Sequence, residues 1–241
     1  MEIKEIENKI LNVDCLDILK QLPDKCIDLV LTDPPYLHES GGRGTMLLGE
    51  SLDRDKYNMG ELSDFGEVEI NKFLDETKRV NKKNEWYIFC SEKQMVYYLN
   101  WVVKNKLKYN ILTWNKPLSV LNHERYSTNI EYIVRIYDNG CKLNKLENNK
   151  FSYYSKYKTF NQLRGKEKIH GSQKPIKILT QFIELSSNEN DIILDTFSGS
   201  GTTAVACHNL KRRFICIEKD YDYWKASVER LKNAQAQLKL F

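Results

Sequence analysis

The sequence predicts an α/β fold, a mostly parallel sheet covered on both faces by helices, and three observations predict it. Seven short apolar runs recur: Ile10–Val13, Ile27–Leu31, Trp86–Cys90, Ile111–Trp114, Tyr132–Ile136, Ile192–Leu194 and Phe214–Ile217. They are rich in β-branched or aromatic residues and bounded by polar or turn residues, as strands buried on both faces must be. Helical spacing appears between them, and strands alternating with helices give a parallel sheet. A glycine-rich turn follows one run and leads straight into a helical stretch.

The helices can be placed from their caps. Ser172 is an N-cap candidate with Pro175 in the first turn, and Ile176, Leu179 and Ile183 mark one helical face. Behind Asp220 as a cap, Trp224, Val228 and Leu231 repeat at helical spacing. Two segments resist the pattern: residues 37–66, rich in glycine and polar side chains, and a basic stretch between Cys141 and Lys168. Loops of that length are uncommon unless functional or mobile.

With 241 residues, 41% hydrophobic and 29% charged, the chain suits one globular domain or a domain carrying an insertion, and disfavours disorder and coiled coil. Nothing approaches the roughly 18 consecutive apolar residues of a membrane span. The start, MEIKEIENKI, alternates acids and lysines where a signal peptide would be apolar, so a cytoplasmic protein is expected, with no membrane partner. The six cysteines form no C-x-x-C pair and mostly sit in apolar runs, which predicts reduced core thiols. His38, His123, His170 and His208 lack metal-ligand spacing, so no metal is expected.

The net charge of +4 is small, but its distribution is uneven. Between Cys141 and Lys168 eight basic residues, among them Lys156, Lys158, Arg164 and Lys166, face two acidic ones, leaving the rest of the chain at −2. Phe151, Tyr153, Tyr154, Tyr157 and Phe160 are interleaved with them. Basic and aromatic side chains together suit a surface that neutralises phosphates and stacks bases; a solvated lysine-rich loop over an aromatic cluster has the same composition.

Two motifs carry chemistry. After Ile192–Asp195 come Thr196, Phe197, Ser198, Gly199, Ser200, Gly201, Thr202, Thr203 and Ala204, a G-x-G-x-x-A turn, and the next apolar run ends in Glu218, seventeen positions after Gly201. Glycines let the backbone turn sharply beside a ligand, and a carboxylate at the next strand tip can accept from both hydroxyls of a ribose. Nicotinamide dinucleotides and S-adenosylmethionine both carry such a ribose, so the turn leaves an oxidoreductase open beside a methyltransferase. The second motif is Asp33, Pro34, Pro35 and Tyr36 at the end of a buried run. Two prolines hold an extended backbone without donors, so the Asp33 carboxylate and the Pro34 carbonyl can present acceptors to one amino group, with Tyr36 offering a stacking face. A local cap at Asp33 with Tyr36 packed on the core is the plainer alternative.

DPPY near the N-terminus with TFSGSGTT (Thr196–Thr203) near the C-terminus resembles the circularly permuted β-class of S-adenosylmethionine-dependent DNA amino-methyltransferases, over nearly the whole chain. Asp14 and Cys15, in NVDCLDIL, match the family's short acidic motif near the cofactor adenine. HGSQKP (His170–Pro175) is similar to its H-P-x-Q-K-P, whose Gln and Lys, here Gln173 and Lys174, lie near the cofactor; LTWNKP (Leu112–Pro117) and IEYIVRI (Ile130–Ile136) resemble later catalytic segments. Thr196 and Gly171 stand where the family usually has Pro, and Ile130 where it often has His.

The resemblance implies a single catalytic domain over 1–241, with a doubly wound seven-strand sheet and both motifs at its carboxyl edge. It implies S-adenosylmethionine as cofactor, held by Asp14, Cys15, Asp33, Gln173, Lys174, Pro175, Asp195, Phe197, Ser198, Gly199, Gly201, Thr202 and Glu218. Double-stranded DNA is the implied substrate, with 138–169 as a short target-recognition insertion and 37–66 as a mobile loop; Arg43, Lys56, Lys156, Lys158, Arg164 and Lys166 are its candidate DNA contacts. A homodimer and a cognate restriction enzyme are candidate partners. DPPY in place of SPPY points to adenine N6 over cytosine N4. RNA adenine, or a non-catalytic DNA-binding relative, are the remaining readings.

Overall fold

The computed structural model describes residues 1–36, 65–116, 129–146, 151–161 and 173–238. Its strands are β1 (Lys9–Leu11), β2 (Leu29–Thr32), β3 (Glu85–Cys90), β4 (Lys108–Asn115), β5 (Ile130–Tyr137), β6 (Tyr157–Thr159), β7 (Ile192–Asp195) and β8 (Arg213–Ile217). They form one sheet in the order β1-β8-β7-β2-β3-β5-β4-β6. Among the described strands only β5 opposes the others, pairing antiparallel with β3 and β4, and the other pairings are parallel.

Every predicted run yields a strand, with ends shifted by a few residues, and the sheet is the expected mostly parallel one. It has eight strands among the described residues where seven were expected. The addition is β6, an edge strand of three residues within the basic stretch, in which only Lys158 is buried. A segment so short and polar has no apolar periodicity to reveal it.

The helices are α1 (Ile3–Ile6), α2 (Cys15–Leu19), α3 (Glu67–Val80), α4 (Glu92–Lys104), α5 (Phe151–Tyr154), α6 (Ile176–Ser186), α7 (Thr202–Asn209) and α8 (Tyr221–Leu238). Alternation along the strands divides the core in two. Val30, Trp86, Ile88, Leu194 and Ile215 face one cluster, with Ile18, Phe73 and Trp101 from the helices on that side. Leu29, Leu31, Phe89, Ile193 and Cys216 face the other, with Leu179, Phe182, Ala206 and Leu231. Burial on both faces explains why the strands are continuous apolar runs. At about 25 cal/mol per Å², each fully buried aliphatic or aromatic side chain contributes about 1.5–3 kcal/mol.

Asp220 caps α8 as expected, its carboxylate accepting from Tyr223 N at 2.9 Å. Pro175, expected in the first turn of α6, instead holds the extended N-cap position, and the helix begins at Ile176; Ser172 lies outside the described residues. All six cysteines are unpaired, four of them buried. Among the described residues, no helix is long and apolar enough to cross a membrane.

Candidate active site at the carboxyl edge of the sheet

From β2 the chain winds outward through α3 to β3, and from β7 it winds the other way through α7 to β8. The strand order therefore reverses between β2 and β7, and crevices at such points are where doubly wound sheets bind ligands. DPPY leaves the tip of β2 and the glycine turn leaves the tip of β7, so both motifs open into that crevice.

Side chains lock the two tips together. Thr32 Oγ1 donates to Asp195 Oδ1 at 2.9 Å and lies 3.1 Å from Thr196 Oγ1. Thr196, which departs from the family's usual Pro, thus adds a polar link across the reversal. Asp195 also accepts from Phe197 N at 3.2 Å and from Thr203 Oγ1 at 2.5 Å. Burial pushes its carboxyl up to about 6 despite these donors.

The glycine turn has the backbone expected of it: Gly199 and Gly201 have φ of 47° and 70°. Glu218, at the tip of β8, accepts from Gly199 N at 2.7 Å and from Asp220 N at 2.9 Å, so each carboxylate oxygen is fixed with lone pairs to spare. Asn12, after β1, donates to the Glu218 and Lys219 carbonyls, both at 2.9 Å. Asp14 caps α2 through Leu16 N at 2.9 Å, and its other oxygen lies 3.6 Å from Lys219 Nζ. Burial is the main reason the neighbouring Cys15 thiol is pushed up to about 12, so it stays protonated. Phe197 packs edge-on against Phe65, with ring centroids 5.3 Å apart.

Asp33 sits in a charged cluster. Lys174 Nζ lies 2.5 Å from Asp33 Oδ2 and 3.1 Å from Glu131 Oε2, while Glu131 Oε1 takes Lys116 Nζ at 3.1 Å. The Lys174 ammonium also lies 5.0 Å from the Phe89 ring centroid and 5.5 Å from that of Tyr36. Burial opposes its charge, but the two carboxylates overcome this and raise its pKa. Burial likewise works against the Glu131 carboxylate, yet Lys174 and Lys116 bring it below the usual range. Asp33 shifts upward: burial outweighs Lys174, and Glu131 adds to it. Of the four charges, that on Asp33 has the most to gain from another donor, and Asp33 Oδ1 is buried without a hydrogen-bond partner.

Sequence reasoning missed several members of this edge. Gln94 is fully buried and donates to the Pro35 carbonyl at 2.8 Å and the Phe65 carbonyl at 3.2 Å, fixing the backbone of the proline pair. Its signal was legible, since Ser91 and Gln94 form the S-x-x-Q capping box of α4. Glu131 and Lys116 stand out in the sequence only as parts of the longer segments IEYIVRI and LTWNKP. Gln173, Lys174 and Pro175 are buried just before α6, and Lys174 faces Asp33.

The basic stretch divides. Lys156 is exposed, as are Tyr154 and Tyr157. Lys158 corrects its expectation: it is buried, and its amine donates to the Ser152 and Tyr153 carbonyls at the end of α5. Desolvation lowers it to about 8, and an amine turned inward in this way is not presented to a phosphate. Arg43, Lys56, Arg164 and Lys166 lie outside the described residues, as does the 37–66 loop except Phe65 and Gly66.

Comparison with known proteins agrees with this geometry. Residues 27–229 match the family model described as DNA methylase. The chain is 30% identical to the Type II methyltransferase M.HinfI of Haemophilus influenzae, over 95% of this chain and 70% of that one. It is 28% identical to the Type II methyltransferase M2.LlaDCHI of Lactococcus lactis subsp. cremoris, over 94% and 90%. The crystal structure of the M1.HpyAVI-SAM complex superposes with a TM-score of 0.68 at 27% identity, covering 92% of this chain and 98% of that one. With its two motifs meeting at the sheet reversal and the family match running through both, the chain belongs to the DNA methylase family.

Proposed function

We propose that this DNA methyltransferase transfers a methyl group from S-adenosylmethionine to the exocyclic N6 amine of adenine within a specific DNA sequence. The observation that carries this reading is Asp33 Oδ1: a buried acceptor without a partner, at the tip of β2, beside a glycine turn built for a nucleoside.

The edge offers what that cofactor requires. Glu218 can accept from ribose hydroxyls, the backbone at Gly199 and Gly201 allows close approach, and Ser198 Oγ is a second buried polar atom without a partner. Asp14, Cys15, Gln173, Lys174, Pro175, Asp195, Phe197 and Thr202 complete the proposed lining. When bound, S-adenosylmethionine supplies a methyl group already activated by its sulfonium sulfur.

Catalysis by the chain is then mainly alignment and electrostatics in a water-poor pocket. Adenine N6 is stacked and paired in a duplex, so the nucleotide is rotated out, at a cost of a few kcal/mol. Tyr36 stacks on the extruded base. Asp33 Oδ1 and the Pro34 carbonyl accept the two N–H bonds, drawing the nitrogen toward pyramidal geometry and aiming its lone pair. As positive charge grows on that nitrogen, the Asp33 carboxylate stabilises it more than in the ground state; the electron pair of the broken carbon–sulfur bond stays on sulfur as a neutral thioether, and the surplus N6 proton leaves the nitrogen to solvent. Lys156, Arg43, Lys56, Arg164 and Lys166 are the proposed phosphate contacts, and 138–169 the target-recognition region.

The decisive test is to incubate unmethylated genomic DNA with the protein and S-adenosylmethionine, then sequence for modified bases. N6-methyladenine in one sequence context is expected; N4-methylcytosine or no modification would refute the proposal. Variants at two positions probe its parts. Tyr36→Phe should stay within a few-fold of wild-type turnover and Tyr36→Ala should lose about 10–100-fold, since stacking is worth roughly 1–3 kcal/mol per base; equal losses would contradict stacking. Glu218→Ala should weaken S-adenosylmethionine binding about 10–100-fold, the value of hydrogen bonds to a charged acceptor. Unchanged affinity by calorimetry would remove the ribose assignment.

A further inference from the structure

We propose that Glu131 is a positioning residue for methyl transfer: it shares the Lys174 ammonium with Asp33, so that Lys174 fixes Asp33 Oδ2 in place while Asp33 Oδ1 keeps the strength of an acceptor. The inference rests on the adenine-methylation reading given above and assigns a role to a residue that the reading leaves idle.

Glu131 owes its place to the reversal of β5. In the register Trp114↔Glu131 it stands one residue from the start of that strand, and because β5 alone runs backward, its start lies at the carboxyl edge with the tips of β2, β3 and β4. The side chain shares the sheet face of Ile133, Phe89 and Trp114, where the segment leading into α6 delivers Lys174. Glu131 is paired on both sides, with Lys116 on Oε1 and Lys174 beside Oε2.

The two carboxylate contacts of Lys174 differ in closeness. Its amine lies 2.5 Å from Asp33 Oδ2 and 3.1 Å from Glu131 Oε2, with the Tyr36 hydroxyl at 3.5 Å. Lys174 is therefore held most tightly to Asp33 and balanced by Glu131 through charge. Without that second carboxylate, Asp33 would be the one remaining counter-charge beside a buried ammonium, which would draw electron density and orientation from the oxygen meant for the amine. Small displacements of an aligned group can cost on the order of 100-fold in rate.

The experiment measures kcat for DNA methylation beside calorimetric affinity for S-adenosylmethionine, in wild type, Glu131→Gln, Glu131→Asp, Lys174→Met and the Glu131→Gln/Lys174→Met double variant. Glu131→Gln should lower kcat about 30–100-fold with cofactor affinity within about twofold of wild type. Glu131→Asp, which keeps the charge at greater distance, should fall between the two. In the Lys174→Met background Glu131→Gln should change kcat by less than about twofold, because the group through which it acts is gone. Wild-type kcat in Glu131→Gln, a parallel loss of cofactor affinity, or independent losses in the double variant would overturn the proposal. Should Glu131→Gln not fold, Glu131→Asp carries the test: a fall of about tenfold in kcat at unchanged affinity supports it, and wild-type kcat overturns it. Failure of the wild type to methylate adenine would strike the underlying reading, and is visible separately in the wild-type arm.

Discussion

Asp33→Ala is expected to reduce turnover by at least about 1,000-fold while S-adenosylmethionine binds within a few-fold of wild type. The expectation follows from what each oxygen of Asp33 does. Oδ2 is committed to Lys174, and Oδ1 is buried without a hydrogen-bond partner. Truncation therefore removes an acceptor that the free protein leaves unused and that the proposed transition state needs, an asymmetry that lowers kcat more than binding. Loss of one preorganised group of this kind typically costs about 100–1,000-fold, and loss of alignment adds to it. The fold should survive. Lys174 keeps Glu131 as a counter-charge at 3.1 Å, and the desolvation of Asp33 is relieved by its removal. Thermal melting, calorimetry and a methyl-transfer assay on one preparation separate these effects. Activity within tenfold of wild type in a folded variant would remove Asp33 from the chemistry.

What was legible in the sequence follows from what is local. Strands covered on both faces must be apolar throughout, so the runs around Val30, Ile88, Leu194 and Ile215 announced themselves. The turn at Gly199 and Gly201 was equally plain, because positive φ needs glycine and the spacing to Glu218 spans one helix and one strand. The seam Thr32–Asp195 joins residues 163 positions apart, and the pairing of DPPY with the glycine turn rested on resemblance until the sheet order placed them side by side. The resemblance puts Lys174 near a cofactor, and the structure adds that its amine pairs with Asp33 and Glu131. That contact depends on the reversed direction of β5, which no periodicity encodes, since parallel and antiparallel strands alternate alike. Lys158 shows the same limit: charge counting puts every lysine of a basic stretch on the surface, and only the fold shows this one satisfying the carbonyls at the end of α5.

Gly201→Ala is expected to destabilise the protein by about 2–5 kcal/mol, a large part of the roughly 5–15 kcal/mol that holds a typical domain together. Two independent costs add. Gly201 holds the N-cap position of α7 at φ 70° and ψ 23°, left-handed backbone that costs an L-residue about 1–2 kcal/mol. An added Cβ would also lie 2.9 Å from Ser227 Cβ and 3.2 Å from Ile10 Cδ1, inside a close approach of α8 and β1 that leaves Ser227 fully buried. Overpacking of that kind costs about 1–3 kcal/mol. In a chain of this size the sum corresponds to a fall in Tm of about 5–15 °C. Gly140→Ala is the matched control, because a Cβ there meets nothing within 4 Å; its melting temperature should stay within about 2 °C of wild type. The damage should also reach binding. Gly201 N donates to the Ser198 carbonyl at 2.8 Å, and the turn it closes sets Gly199 N against Glu218, so a shifted backbone loosens the carboxylate proposed to hold the ribose. Calorimetry below the melting range should therefore find weaker S-adenosylmethionine binding in Gly201→Ala and unchanged binding in Gly140→Ala. A Gly201→Ala protein that melts with wild type would mean that α8 gives way without strain, and the rigidity assigned to the turn would have to come from Asp195 and its threonines instead.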